Sequence, residues 1–141
     1  MDTLAAAVPA VPQIRIGAAG APAFWAVRCA DCGQALPARP LACPRCASRT
    51  PMAEFPLEGP GTLYNWRLVH RSFPGVPVPV IQVVVDMAEG LTLRGNLEGV
   101  APDPAALAFD LPVRLAFRES DQRDAAGHPF LVYTFVQERG A

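Results

Sequence analysis

The sequence predicts a mainly β protein in which a small metal-binding ribbon precedes a closed barrel of five strands with one short helix. Three observations carry this prediction. The four cysteines of the chain form two CxxC pairs. The stretch after them contains five segments in which apolar and polar residues alternate with the period of a strand. Within that stretch, Asp103 followed by Pro104 marks the start of a helix.

The two cysteine pairs are Cys29 with Cys32 and Cys43 with Cys46, and ten residues separate them. Thiolates are soft ligands, and four of them complete a tetrahedral shell around one Zn²⁺ ion. Because four thiolates leave no coordination position for water or substrate, we predict one structural zinc ion per chain. Gly33 directly follows the first pair and supplies the permissive backbone that such a turn needs.

Other uses of paired cysteines explain the sequence less well. Structural disulfides need an oxidising compartment, and the first residues lack the positively charged start of an export signal. A redox CxxC pair normally opens a helix of a βαβ unit, for which the sequence has no pattern. Iron accepts the same four ligands, so the choice between zinc and iron stays open from the residues alone.

Composition narrows the classes of function. Hydrophobic residues make up 51% of the 141 residues and charged residues 18%, which argues against disorder and suggests apolar surface for a partner protein. The net charge is -1 and all 12 basic residues are arginines. We therefore expect no long-range attraction to nucleic acid or to an anionic membrane. No stretch reaches the roughly 18 apolar residues of a spanning helix, and we expect a cytoplasmic protein.

We divide the chain into three parts. Residues 1–23 are rich in Ala, Pro and Gly and are predicted to form an N-terminal arm. Residues 24–58 are predicted to form a rubredoxin-like zinc ribbon, and residues 59–141 the barrel with a C-terminal tail. Phe24 and Trp25 stand just before the first cysteine pair, where we expect aromatic rings to shield the metal site.

The barrel is predicted from alternation. In its first strand, Tyr64 and Trp66 are expected to face inward and Arg67 outward. A polar loop is expected over residues 119–129, before the last strand. The five predicted strands cover residues 62–71, 78–87, 91–97, 113–118 and 130–136, with the helix between the third and the fourth. This element order is that of the five-stranded OB-fold barrel.

Several of these motifs occur together in one known family. Over about residues 24–136 the chain resembles the DUF35 family, whose members combine a zinc ribbon with an OB fold. The resemblance rests on both cysteine pairs and on three barrel motifs, namely Gly59-Pro60-Gly61-Thr62-Leu63, Val83-Val84-Val85-Asp86-Met87-Ala88-Glu89-Gly90 and Pro112-Val113-Arg114-Leu115-Ala116-Phe117.

The resemblance implies a non-catalytic accessory subunit of an acyl-CoA-processing complex. Its partner would be a thiolase-like catalytic subunit with condensing, thiolytic or retro-aldol activity, which it would stabilise or whose CoA or acyl channel it would shape. An accessory subunit of an enoyl-CoA hydratase is an alternative within the same class of function. A CoA thioester would then bind where the subunits of such a hetero-oligomer meet.

Three barrel residues are candidates for contacts with CoA. Arg67 and Arg94 carry guanidinium groups, which suit phosphates, and the Trp66 ring suits an acyl chain. The simpler explanation is that the arginines lie on a solvated outer face and that Trp66 is a core residue.

Two further classes of function compete with this interpretation. A single-stranded nucleic-acid-binding OB module would use aromatic stacking and a basic groove, but the pI is about 6.1 and aromatic residues make up only 8%. An independent metalloenzyme needs an open metal position, which four cysteines do not provide. The two histidines, His70 and His128, have no free cysteine nucleophile to activate, so neither is expected to be catalytic.

Overall fold

A computed structural model describes residues 7–138 of the chain. They form ten strands and one 3-10 helix: β1 Val8–Pro9, β2 Ile14–Ile16, β3 Pro22–Arg28, β4 Ala35–Leu36, β5 Ala53–Pro56, β6 Gly61–Val69, β7 Val80–Met87, β8 Thr92–Glu98, the helix Pro104–Ala106, β9 Pro112–Arg123 and β10 Pro129–Gln137. The predicted mainly β class is confirmed. Within the part of the chain described, no helix has the length and apolar character needed to cross a membrane.

The described residues pack as two compact units that do not follow chain order. The first unit contains residues 7–58, 89–91 and 117–133. The second contains residues 59–88, 92–116 and 134–138. Strands β9 and β10 therefore each contribute residues to both units.

In the first unit, β3 is the central strand. It pairs antiparallel with β2, β4 and β5, with Ile14 opposite Phe24 and Val27 opposite both Leu36 and Glu54. Part of the predicted N-terminal arm thus forms β2, and Ile14 is only 2% exposed. Strand β1 pairs in parallel with the first residues of β10.

In the second unit, β6, β7 and β8 form an antiparallel meander. The last residues of β10 pair in parallel with β8, and the first residues of β9 pair antiparallel with β6. A further β9–β10 pairing connects the five strands into the ring of an OB barrel. The fully buried side chains of this unit are those of Leu63, Val85, Val113 and Phe135.

Gly61 shows why the entry to β6 needs glycine. A Cβ atom at this position would lie 2.5 Å from Cγ1 of Val85 and 3.0 Å from Sδ of Met87. Carbon atoms do not pack that closely, so any side chain would push β6 away from β7. The glycine of the Gly59-Pro60-Gly61 motif therefore allows close approach of two strands.

The predicted orientation of Tyr64 is wrong, and a β-bulge is the reason. Leu63 pairs with Val85, but the next residue to pair, Asn65, faces Val84, so Tyr64 is an extra residue in β6. Leu63 takes the buried position and Tyr64 is 60% exposed. After the bulge, Trp66 pairs with Val83 and is half-buried. A two-residue alternation cannot reveal an inserted residue of this kind.

The short helix is confirmed, whereas the polar loop predicted after the fourth strand begins too early. Asp103 caps the 3-10 helix by accepting a hydrogen bond from the amide of Ala105, with Pro104 in the first turn. Strand β9 continues to Arg123, and the turn to β10 is closed by a hydrogen bond from the Asp124 amide to the His128 carbonyl of 2.9 Å. Pairing with β10 extends β9 through polar residues that sequence alone assigns to a loop.

Candidate functional site

The four cysteines converge on one point of the first unit. Their Sγ atoms all lie within 4.8 Å of one another. The Sγ atoms of Cys29 and Cys46 are 3.7 Å apart, and those of Cys32 and Cys43 are 3.6 Å apart. A tetrahedral zinc centre with Zn–S bonds of about 2.3 Å has sulfur–sulfur edges of about 3.8 Å. The four thiols therefore have the spacing of a tetrathiolate metal site and could hold one metal ion.

Each cysteine pair lies on a tight turn of the same construction. The amide of Gly33 donates to the carbonyl of Cys29 at 3.0 Å, and the amide of Ala47 donates to the carbonyl of Cys43 at 2.8 Å. Gly33 has a φ of 79° and Ala47 a φ of 64°, so both occupy the left-handed region. In both CxxC segments, the residue four positions after the first cysteine thus reverses the direction of the chain. We call these two segments knuckles.

Backbone amides and neighbouring thiols set the pKa values of the sulfurs. The amide of Cys32, followed by that of Asp31, lowers the pKa of Cys29. The amide of Cys46 is the main reason that the pKa of Cys43 is lowered to about 7. For Cys46, the Ser48 amide lowers the pKa, but desolvation and the three neighbouring thiols together raise it to about 12. Thiolates this close repel one another, and a bound divalent cation relieves that repulsion.

A small apolar cluster surrounds the sulfurs. Val27, Met52 and the half-buried Leu36 pack with the cysteines, of which Cys29 and Cys43 are each 2% exposed. The expectation that Phe24 and Trp25 shield the site is wrong. The Phe24 ring lies edge-on to Tyr133, and the Arg15 guanidinium lies over the Trp25 ring. An apolar cluster this small is typical of domains whose folding is coupled to binding of a metal.

The two left-handed turn residues allow a paired prediction. Gly33→Ala is expected to destabilise the ribbon by about 1 kcal/mol, because alanine in the left-handed region is strained. Ala47→Gly is expected to be neutral or to stabilise it by up to about 1 kcal/mol, because relief of that strain exceeds the added chain entropy. Urea unfolding of the metal-loaded protein measures the change in the free energy of unfolding for both variants. A loss of stability in Ala47→Gly as large as in Gly33→Ala would contradict the proposed role of the backbone.

The second candidate site is a cleft on the barrel of the second unit. It has a volume of about 570 Å³ and is formed by β6, β7 and β8. All three residues predicted to contact CoA line it, namely Trp66, Arg67 and Arg94. Arg67 donates a hydrogen bond of 3.0 Å to Oε1 of Gln82, and the Trp66 ring lies 4.9 Å from that of Phe109. The structure thus brings these residues together, while their binding role stays a prediction.

The amide side chains of this cleft are not marked by any local pattern in the sequence. Strand pairing places Arg67, Gln82 and Asn96 in one row across three strands. A neighbouring row contains Asn65, Val84 and Arg94. Aligning the outward residues of the predicted hairpin would have shown the Gln82–Asn96 pair, but the row that includes Asn65 depends on the bulge. Neither His70 nor His128 lines the cleft.

Comparison with known proteins agrees with this architecture. The family model of the ChsH2 C-terminal OB-fold domain matches residues 54–118. A DUF35 domain-containing scaffold protein of Methanocaldococcus jannaschii is 28% identical over 89 residues, which are 60% of this chain and 62% of that protein. These two matches support the DUF35 family for this chain. The resemblance stated from the sequence motifs is thereby confirmed.

Two further matches are proteins that are themselves named as parts of enzyme assemblies. The 3-oxo-4,17-pregnadiene-20-carboxyl-CoA hydratase alpha subunit of Mycobacterium tuberculosis is 35% identical over 60 residues, covering 42% of this chain and 19% of that one. The structure of an Ltp2–ChsH2(DUF35) aldolase matches with a TM-score of 0.64 and 24% identity, covering 82% of this chain and 84% of that one, which supports the fold. The chain spans less than two thirds of the length of both curated relatives.

Proposed function

We propose that this protein is a non-catalytic, zinc-binding accessory subunit of a complex that processes acyl-CoA thioesters. Resemblance to the DUF35 family carries the proposal, because proteins similar to this chain are named as a scaffold protein, as one subunit of a CoA-thioester hydratase and as part of an aldolase assembly. A thiolase-like enzyme is the proposed catalytic subunit. The four free thiols suit the reducing cytoplasm that we propose as its compartment.

The chemistry of the described residues supports an accessory role. A metal held by four thiolates has no open position for a substrate. The imidazole of His128 lies 3.3 Å from the carboxylate of Asp124 on an exposed hairpin, where both groups stabilise the turn. Among residues 7–138, neither histidine lines the cleft, where it could act as a general acid or base on a bound substrate.

Zinc is the metal we propose for the tetrathiolate site, and metal analysis separates it from iron. Protein purified without added metal is expected to contain one zinc ion per chain by elemental analysis. A coloured protein with stoichiometric iron would overturn the choice of zinc, because iron–thiolate centres absorb visible light and zinc does not.

Assembly with a catalytic subunit is tested by co-expression. The protein and a thiolase-like enzyme encoded beside it are expected to elute together in size-exclusion chromatography, and activity is expected to be higher for the complex than for either protein alone. Two separately stable proteins, with the enzyme fully active by itself, would contradict the proposal. Co-elution with a hydratase subunit instead would favour the alternative suggested by the mycobacterial relative.

The barrel cleft is the proposed place of contact with CoA. Arg67 and Arg94 lie on adjacent rows of the same face, and hydrogen bonds between charged groups contribute about 1.5–3 kcal/mol each. Arg67→Ala and Arg94→Ala are therefore each expected to weaken binding of CoA to the complex roughly 10- to 100-fold by isothermal titration calorimetry.

Arg49→Ala is the matched control for these variants. Arg49 is an exposed arginine of the ribbon, and its loss changes the net charge by the same amount without altering the cleft. If all three variants bind CoA as the unmodified complex does, the two cleft arginines belong to a solvated outer face.

A single-stranded nucleic-acid module is the second candidate, because the cleft occupies the strand face with which OB folds bind oligonucleotides and contains an aromatic ring. Fluorescence anisotropy with labelled single-stranded DNA and RNA distinguishes the two functions. Tight binding that weakens steeply with salt would favour nucleic acid.

A further inference from the structure

A hydrogen-bonded bridge links the two cysteine knuckles on their outer side. Asp31 lies inside the first knuckle, between Cys29 and Cys32. Its Oδ2 atom accepts a hydrogen bond of 2.8 Å from Oγ1 of Thr50 and a second one from the hydroxyl of Ser48. Ser48 and Thr50 follow the second knuckle, and their hydroxyls also contact each other.

Both ends of this bridge belong to the backbone that carries the ligands. Asp31 directly precedes Cys32, and Ser48 lies two residues after Cys46. The carbonyl of Ser48 also accepts a hydrogen bond of 2.8 Å from the amide of Cys43. A displacement of either bridge residue therefore moves the backbone that orients a ligand.

We propose that Asp31, through Ser48 and Thr50, is a positioning residue that holds the two knuckles at the separation required for a tetrathiolate metal and slows release of the ion. This inference rests on the proposal that the four cysteines bind zinc. The link matters because each knuckle supplies only two of the four ligands. Once the knuckles separate, the ion keeps half of its shell and is exposed to competing chelators.

Two electrostatic effects act on Asp31 in opposite directions. A zinc ion with four thiolates has a net charge of -2, which repels the carboxylate. The hydroxyl hydrogen bonds are strengthened by the same carboxylate charge. Asp31 is solvent-exposed, so water and salt screen the repulsion, whereas the short-range hydrogen bonds persist. The bridge is therefore expected to have a net stabilising effect on the metal site.

Zinc affinity and release of the full-length protein test this role. Loss of a residue that orients metal ligands typically weakens metal affinity about 10- to 100-fold. We expect Asp31→Ala to weaken zinc affinity by that factor in competition with a chromogenic chelator, and to release zinc correspondingly faster. Asp31→Asn retains an acceptor oxygen and is expected to recover part of the affinity. Asp121→Ala removes an exposed carboxylate of β9 and should have no effect.

A double-mutant cycle distinguishes the bridge from unrelated loss of structure. If Asp31 and Thr50 act through each other, Asp31→Ala combined with Thr50→Val is expected to be little worse than Asp31→Ala alone. The visible spectrum of the cobalt-substituted variants is expected to keep the bands of a tetrathiolate centre, because the ligands themselves are unchanged. Additive effects, or an altered cobalt spectrum in Thr50→Val, would overturn the positioning role.

The same measurements distinguish failure of this inference from failure of the zinc-binding proposal on which it rests. If the unmodified protein binds no zinc, the metal proposal fails. If it binds zinc and the Asp31 variants bind and release it equally well, the metal proposal stands and the role of Asp31 is refuted.

Discussion

Cys43→Ser is expected to abolish zinc binding and to unfold the ribbon. The Cys43 thiol is 2% exposed and lies in the apolar cluster with Val27 and Met52. A serine hydroxyl is neutral at pH 7 and is a poor ligand for zinc. Structural zinc contributes an apparent 10–16 kcal/mol or so in zinc-finger peptides, which is as large as the roughly 5–15 kcal/mol stability of a typical domain. No other interaction in the ribbon is expected to replace a contribution of that size.

Elemental analysis after gel filtration measures the loss of zinc. Limited trypsin digestion measures the unfolding of the ribbon. Zinc content should fall from one ion per chain toward zero, and cleavage after Arg45 and Arg49 should become rapid. Ala42→Ser is the control, because it introduces the same hydroxyl beside the ligand and leaves all four thiols in place. Full zinc content in Cys43→Ser would show that the metal site is not the one described.

Phe135→Ala is expected to cause the largest loss of stability in the barrel. Phe135 is fully buried on β10, where it pairs with Leu97 of β8. Removal of a buried phenylalanine ring typically costs about 3–5 kcal/mol, since the cavity that remains collapses only in part. That is a large share of the stability of a typical domain, and a fall in melting temperature of about 10 °C or more should follow.

Phe73→Ala removes the same ring from a residue that is 83% exposed, and it serves as the matched control. Its effect on stability should stay within about 0.5 kcal/mol. Similar melting temperatures for the two variants would mean that Phe135 is not in a packed core. Urea unfolding at a fixed zinc concentration gives the free energy of unfolding of both variants under the same conditions.

Local chemistry explains why several parts of the structure could be predicted from the sequence. The clustering of the four cysteines follows from their number and spacing, because four thiolates have few other uses together. The 3-10 helix follows from Asp103 and Pro104, which act within a single turn. The arginines and the tryptophan of the cleft were found because guanidinium and indole groups have distinct binding chemistry, even though alternation alone placed them on opposite faces.

The features that sequence patterns missed depend on pairing between distant segments. The bulge at Tyr64 exists only relative to β7, and it changes which side chains of β6 point outward. The second half of β9 is a strand because β10 pairs with it, not because its polar residues favour extended structure. The Asp31 bridge joins a residue inside the first knuckle to residues that follow the second, and no local pattern in the sequence marks it.

The parallel pairing of β1 with β10 has a consequence for biosynthesis. Val8 lies opposite Phe130, and the amide of Ala10 donates to the carbonyl of Leu131 at 2.8 Å. On a ribosome, β1 emerges long before β10 has been translated. Contacts between such distant residues are slow to form because they close a long loop of chain. A nascent chain arrested before residue 130 therefore leaves β1 without the strand that pairs with it, and this pairing can form only when synthesis of the chain is nearly finished.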